Sequence, residues 1–230
     1  MQAIALENNL SETAFVVKEG EEYRLRWFMP TGEIDLCGHA TLATAFVILN
    51  YIEPNKTSVT FNNVSGKLLV TKQTDLYEMD FPLFSLKRIA VIEQMEEVIG
   101  VRPVEAWLGR DLVCIMENET QVFNAKIDLA KALALEGLLL HITAKGSTYD
   151  CVTRTFAPKA SVSEDPVCGS GHCHIIPFWA DRFNKDKLVA RQASSRGGTL
   201  YCSIAGDRVK MAGRAVLYAT AELHVDDVLL

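Results

Sequence analysis

Two short segments of this chain put thiols where chemistry becomes available. Leu36-Cys37-Gly38-His39-Ala40-Thr41-Leu42 returns in altered form as Val167-Cys168-Gly169-Ser170-Gly171-His172-Cys173. Each sets a cysteine and then a glycine ahead of an apolar run of helical character. A helix N-terminus leaves four N–H groups unpaired and carries roughly half a unit of positive charge, so carboxylates and phosphates bind there. Gly38, Gly169 and Gly171 let backbone approach a ligand closely, with Ser170 among them as a further substrate-binding residue. The same field is expected to lower a thiol pKa and make bases of Cys37 and Cys168. Two such turns face to face would hold an anion while two side chains move a proton, which is cofactor-independent chemistry.

His39, directly after Gly38, can take or give a proton near neutral pH. Asp165, just before Pro166, is placed either to orient an imidazole or a ligand group or to cap the following turn. Cys114, Cys151 and Cys202 sit in apolar strand patterns and read as inert buried thiols. Cys168, His172, Cys173 and His174 crowd metal-ligating side chains into one short run. Structural zinc sites instead draw on two separated pairs, and on a helix Cys173 and His174 would point away from the face shared by Cys168 and His172. No metal site is expected.

The elements that must position these groups follow from periodicity. The first residues read as a helix stopping at Asn8-Asn9, then 13–18 and 23–29 as strands, with Tyr23, Leu25 and Trp27 alternating with Arg24 and Arg26. Residues 41–50 are almost wholly apolar or small, which predicts a helix buried on all sides. Strands are expected at 58–61, 66–72 and 76–81. Pro82 and the stretch to Arg88 divide the chain into an N-terminal half, 1–84, and a C-terminal half, 85–216, with a strand over 217–230 returning to the first. In the second half, Val91, Ile92, Met95, Val98 and Ile99 mark a helix stopped by Gly100, and Asp128 caps a short helix to Leu135. Strands are expected at 138–144 and 149–156, a helix at 172–183, and strands at 188–192, 199–204, 208–211 and 215–223. Each half reads as short strands around one helix, an internal duplication of architecture.

Bulk properties bound the function. At 230 residues the chain can bury one large core or two smaller ones. A net charge of -6 argues against a nucleic-acid surface. No apolar run reaches the roughly 20 residues that span a bilayer, and Met1-Gln2-Ala3-Ile4-Ala5-Leu6-Glu7 lacks the plan of a signal peptide. Six cysteines without framework spacing read as reduced thiols. A cytoplasmic protein with neither nucleic-acid nor membrane partner is expected.

Three ordered segments carry a resemblance to a known family. Glu7-Asn8-Asn9-Leu10-Ser11-Glu12-Thr13-Ala14-Phe15, Leu36-Cys37-Gly38-His39-Ala40-Thr41 and Glu164-Asp165-Pro166-Val167-Cys168-Gly169-Ser170-Gly171 resemble the signatures of the phenazine biosynthesis PhzF-like isomerases. Ser194-Ser195-Arg196-Gly197-Gly198 is also similar to that family, and the resemblance covers essentially the whole chain. It implies an α+β, diaminopimelate epimerase-like fold: two pseudo-symmetric halves, each a β-barrel-like sheet around a central helix, with the site between them. An initial strand ahead of the first helix is expected to be missing. The resemblance also implies that Glu12 is the acid–base group that shuttles the proton, that His39 and Asp165 assist binding and transfer, that no cofactor is used, and that the protein forms a homodimer. One departure stands out: Cys37 and Cys168 occupy positions where proline racemases and diaminopimelate epimerases, but not PhzF, carry cysteines. In those enzymes the pair inverts a carbon from opposite faces.

The expected function is therefore a cofactor-independent isomerase of a small carboxylate metabolite. Glu12 leads, Cys37 and Cys168 are candidate paired bases, His39 and Asp165 polarise and orient, and the Gly169–Gly171 amides hold a carboxylate. The alternatives are a cysteine-pair amino-acid racemase or epimerase and a non-catalytic metabolite-binding protein. A two-base site requires the sulfurs to flank one carbon, about 7 Å apart or less.

Overall fold

A computed structural model describes residues 1–224 of the chain. It opens with α1 (Gln2–Asn8), which ends as Asn9 turns left-handed at φ 48°. Then come β1 (Thr13–Glu19), β2 (Glu22–Met29), β3 (Gly32–Ile34), α2 (Gly38–Val47) with a π-helical turn at Ile48–Ile52, β4 (Ser58–Asn63), β5 (Gly66–Gln73) and β6 (Leu76–Pro82). The chain continues through β7 (Lys87–Ile89), α3 (Glu93–Ile99), β8 (Glu105–Leu108), β9 (Leu112–Ile115), α4 (Glu119–Asn124), α5 (Leu129–Ala132), β10 (Leu140–Lys145) and β11 (Cys151–Ala157). It closes with β12 (Val162–Asp165), α6 (Gly169–Phe183), β13 (Lys187–Gln192), β14 (Gly198–Ala205) and β15 (Arg208–Gly213).

The strands lie in the order β1-β2-β4-β5-β6-β15-β14-β13-β11-β10-β9-β8-β7, with β3 beside β2 and β12 beside β11. Most pairs are antiparallel; β2/β4, β9/β10 and β11/β13 are parallel. The first half curls its strands around α2, which packs on β1 and β6, and the second wraps α6 with β13, β14 and β15. The halves join where β6 and β15 pair, from Pro82 opposite Arg208 to Tyr77 opposite Gly213. One core spans the joint: Trp27, Phe61 and Phe81 from the first half meet Ile175, Ile176 and Trp179 of α6. A second cluster under α3 gathers Met95, Val98, Leu112, Ile142 and Phe156. Each fully buried side chain of this size contributes about 1.5–3 kcal/mol, so both helices are held from their apolar faces.

Three expectations need correcting. The α2 helix is not buried on all sides: Ala43 and Val47, four residues apart on one face, look outward. The helix expected from residue 172 starts at Gly169, because Cys168 supplies its cap. No strand forms over 215–223. Residues 214–224 run as irregular chain, with Val216 and Tyr218 85% and 98% exposed. β15 already pairs on both edges, with β6 and β14, and strand propensity without a partner edge does not make a strand. The rest of the returning strand expected over 217–230, residues 225–230, lies outside the described residues. Among the described residues no helix is long and apolar enough to cross a membrane.

Candidate active site

The two Cys-Gly turns meet. A β carbon built on Gly38 would lie 2.9 Å from the α carbon of Gly169, so the glycines allow the starts of α2 and α6 to touch backbone to backbone. Cys37 is the N-cap of α2 in extended conformation, and Thr41 Oγ1 donates to its carbonyl at 2.5 Å. Cys168 caps α6 with its own sulfur, which accepts the Gly171 N–H at 3.3 Å. That contact corrects one expectation. The Gly171 N–H is already engaged, and a side chain there would strike His141, 2.4 Å from Cε1, so Gly171 faces the interior.

The other expected residues share one cleft. Glu12, Cys37, Gly38, His39, Asp165, Cys168, Gly169 and Ser170 all line it. Glu12 enters from just ahead of β1 and sets Oε2 2.7 Å from His39 Nε2. Across the ring, His39 Nδ1 lies 3.2 Å from the Val167 carbonyl and 3.9 Å from Asp165 Oδ1. Both ring nitrogens thus face acceptors, the surroundings of an imidazolium. Cys37 Sγ stands 3.9 Å from the same ring. Asp165 caps its own turn by accepting the Val167 N–H at 2.9 Å. The segment after it is clamped from the second half, since Gln192 Nε2 donates to the Asp165 carbonyl and Ser194 Oγ to that of Pro166.

Electrostatics separates the two carboxyls. Burial pushes Glu12 up, but the hydrogen bond and charge of His39, helped by Ser11 and Cys37, outweigh it and hold Glu12 below its ordinary range. Burial pushes Asp165 up, and the charge of His39 only partly offsets that. His39 is driven down by burial, yet Cys37 and Glu12 together carry it well above its usual value. Both cysteines run against expectation: burial pushes Cys37 up and Cys168 well up, despite their places at helix N-termini. The desolvation of a completely enclosed thiolate exceeds what a helix terminus returns. Burial thus favours the thiol form of Cys37, and the Glu12 carboxylate, at 2.7 Å against 3.9 Å for the sulfur, is the nearer partner for a charge on His39.

Glu12, Cys37 and His39 offer ligand atoms within 4.8 Å of one another and are the set that could hold a metal ion among the described residues. The run Cys168, His172, Cys173 and His174 disperses: His172 Nδ1 donates to the Cys168 carbonyl, Cys173 Sγ to that of Gly169, and His174 turns toward Asp111.

Sequence reasoning missed Arg110. It lines the cleft from the turn between β8 and β9 and donates from Nη2 to Ser170 Oγ at 2.8 Å. Asp111 behind it is fully buried and also touches His141 Nε2, at 3.1 Å. The available signal was Gly109-Arg110-Asp111, an opposite-charge pair between the apolar runs Ala106-Trp107-Leu108 and Leu112-Val113-Cys114.

The fold brings a carboxylate, an imidazole and two thiols together at paired helix starts, and comparison with known proteins gives the class to which this layout belongs. The phenazine biosynthesis-like protein family, PhzC-PhzF, matches residues 1–221. An uncharacterised isomerase of Pseudomonas aeruginosa is 44% identical over 227 residues, covering 98% of this chain and 87% of its own. The crystal structure of a PhzF-family phenazine biosynthesis protein from Enterococcus faecalis superposes with a TM-score of 0.95 at 47% identity, over 97% of this chain and 86% of that one. A probable proline racemase from Agrobacterium radiobacter shares the fold at a TM-score of 0.62 and 12% identity, over 94% of this chain and 76% of that one. The chain belongs to the PhzC-PhzF family and is an isomerase of the PhzF type.

Proposed function

We propose that this isomerase moves a carbon-bound proton within a small carboxylate-bearing metabolite, using its own side chains. The observation that carries the proposal is the 2.7 Å contact between Glu12 and His39 in a cleft whose other carboxyl, Asp165, is pushed the opposite way in pKa. Titratable groups driven apart by their environments are the mark of acid–base assignment. Glu12, ionised and partly desolvated, takes the proton from carbon and returns it at another position of the same molecule. The His39 imidazolium holds the carboxylate in place. Asp165, kept closer to its neutral form, donates a hydrogen bond where charge develops in the substrate.

Deuterium uptake tests the proposal. Carboxylate metabolites are incubated with the protein in D2O and followed by mass spectrometry. Uptake that disappears in Glu12→Gln supports it, and uptake that survives the change overturns it.

A cysteine-pair racemase is the second reading, favoured by one observation: Cys37 and Cys168 line the same cleft from the caps of the two helices. Their raised pKa values count against it, because a thiolate base must first be formed at a cost.

A further inference from the structure

We propose that Arg110 is the cation that grips the substrate carboxylate, with the buried Asp111 and the cleft hydroxyl of Ser170 setting its guanidinium in advance. This rests on the carboxylate-isomerase reading above and adds the binding group that reading lacks. His39, the other basic side chain lining the cleft, is committed to Glu12.

The guanidinium is fixed on three sides. Nε donates to Asp111 Oδ1 at 3.0 Å and Nη2 to Asp111 Oδ2 at 2.6 Å, a two-pronged pair. Nη2 also donates to Ser170 Oγ at 2.8 Å. The plane rests over Phe84, with Cζ 5.2 Å from the ring centroid. Asp111 is itself immobilised: no part of it reaches solvent, and His141 Nε2 meets it at 3.1 Å while His141 Nδ1 meets Thr155 Oγ1 at 2.9 Å. Although burial opposes its charge, His141 and Arg110 hold the Asp111 carboxyl far below its ordinary value, so it stays an anion.

That leaves Nη1. Among the described residues it makes no hydrogen bond to protein, and the Arg110 side chain remains one third exposed. Two N–H groups of a permanent cation are thus unspent on a side chain that lines the cleft. A guanidinium already ordered by the protein binds an oxyanion with little further loss of freedom. Leu138, Leu139 and Val162 line the same cleft, and the Leu138 N–H donates to the Arg110 carbonyl at 3.0 Å, which ties that wall to the arginine. The ligand that fits is a monocarboxylate: its oxygens at Arg110 Nη1 and the Ser170 hydroxyl, its hydrocarbon body along the leucines.

The test uses isobutyrate and its neutral analogue isobutyramide as probes, titrated into the full-length protein and followed by NMR, with the arginine side-chain nitrogens observed directly. Isobutyrate is expected to bind saturably and shift the Arg110 guanidinium signals, while isobutyramide does neither at the same concentrations. Arg110→Gln should weaken isobutyrate roughly 10- to 100-fold, as for the loss of a charge-assisted hydrogen bond. Arg110→Lys should fall between, since an ammonium cannot reproduce the fork. If Arg110→Gln fails to fold, the guanidinium signals of the unaltered protein decide alone. No saturable isobutyrate binding, equal binding of the amide, unmoved Arg110 signals at saturation, or full affinity in a folded Arg110→Gln each overturn the proposal. All these readouts are of binding. A failure to find proton exchange therefore sinks the isomerase reading and leaves Arg110 standing, whereas an unresponsive Arg110 sinks this proposal while exchange stands.

Discussion

Oε2 of Glu12 lies 2.7 Å from Nε2 of His39, and Nδ1 of the same ring lies 3.2 Å from the Val167 carbonyl. The ring therefore links the start of β1 to the turn that opens α6, and its protonation state ties the two halves together. Glu12 is held below its ordinary 4.5, so its stabilising contribution is present above pH 4.5 and is lost as pH falls through its lowered value. His39 is raised well above its ordinary 6.5, so its contribution is complete below pH 6.5 and is lost as pH rises through the raised value. The pair should stabilise most between pH 4.5 and 6.5. Urea unfolding of the parent and of His39→Asn across this range should differ by about 1.5–3 kcal/mol and converge on both sides. A difference independent of pH would show that the contact is packing alone.

Glu12→Gln keeps volume and hydrogen bonding but removes the proton carrier. A loss of about 10²–10⁴-fold in deuterium uptake is expected. Cys168→Ser should be mild by comparison, because a hydroxyl can still accept the Gly171 N–H that the sulfur accepts at 3.3 Å. Full exchange in Glu12→Gln beside a dead Cys168→Ser would reverse the assignment in favour of the thiols.

Thiol labelling should be slow. With Cys37 and Cys168 both raised above the ordinary 9.0 by burial, iodoacetamide at pH 7 should modify them more slowly than a free cysteine, the rate rising with pH. Peptide mapping after timed labelling measures this, and rapid modification of either residue at neutral pH would contradict it.

Gly38→Ala should damage both stability and site. The new methyl would sit 2.9 Å from the Gly169 α carbon, a backbone atom that cannot swing away. Overpacking of this kind costs about 1–3 kcal/mol, and prising α2 from α6 would widen the cleft. Chemical denaturation together with exchange assays checks this. An alanine variant as stable and active as the parent would mean the helix starts have slack.

Asp111→Ala should destabilise the fold. It removes the partner of both Arg110 and His141 at a fully buried position. His141 would lose its partner in the interior while the one-third-exposed Arg110 could turn to water, a cost of about 1–3 kcal/mol, measurable as a fall in the urea midpoint. A shift under 1 kcal/mol would show that water takes the place of the carboxylate.

Local pattern made much of this protein legible. The alternation of Tyr23, Leu25 and Trp27 marks β2, Asn9 stops α1, and the repeated Cys-Gly turns mark the two helix starts, because each depends on residues only a few positions apart. Glu12, His39 and Asp165 were found through sequence motifs, although more than a hundred positions separate the first two from the third. The short strands β3, β7, β8, β9 and β12 span three or four residues each, too few to display a period of two. With β8 and β9 went the turn between them, and so Arg110.

The sequence by itself pointed to Glu12, Cys37, His39, Asp165 and Cys168, because motif chemistry and helix-capping rules are local, but it missed Arg110 and placed Gly171 on the wrong side. Only the tertiary structure decided how those groups behave. Enclosure raised the pKa of the thiols at the helix caps instead of lowering it, the backbone contact of Gly38 with Gly169 joined the two helix starts beside the cleft, and His39 lowered the pKa of Glu12 while burial raised that of Asp165. Desolvation and close packing depend on everything that surrounds a group, and the order of residues along the chain does not carry that information.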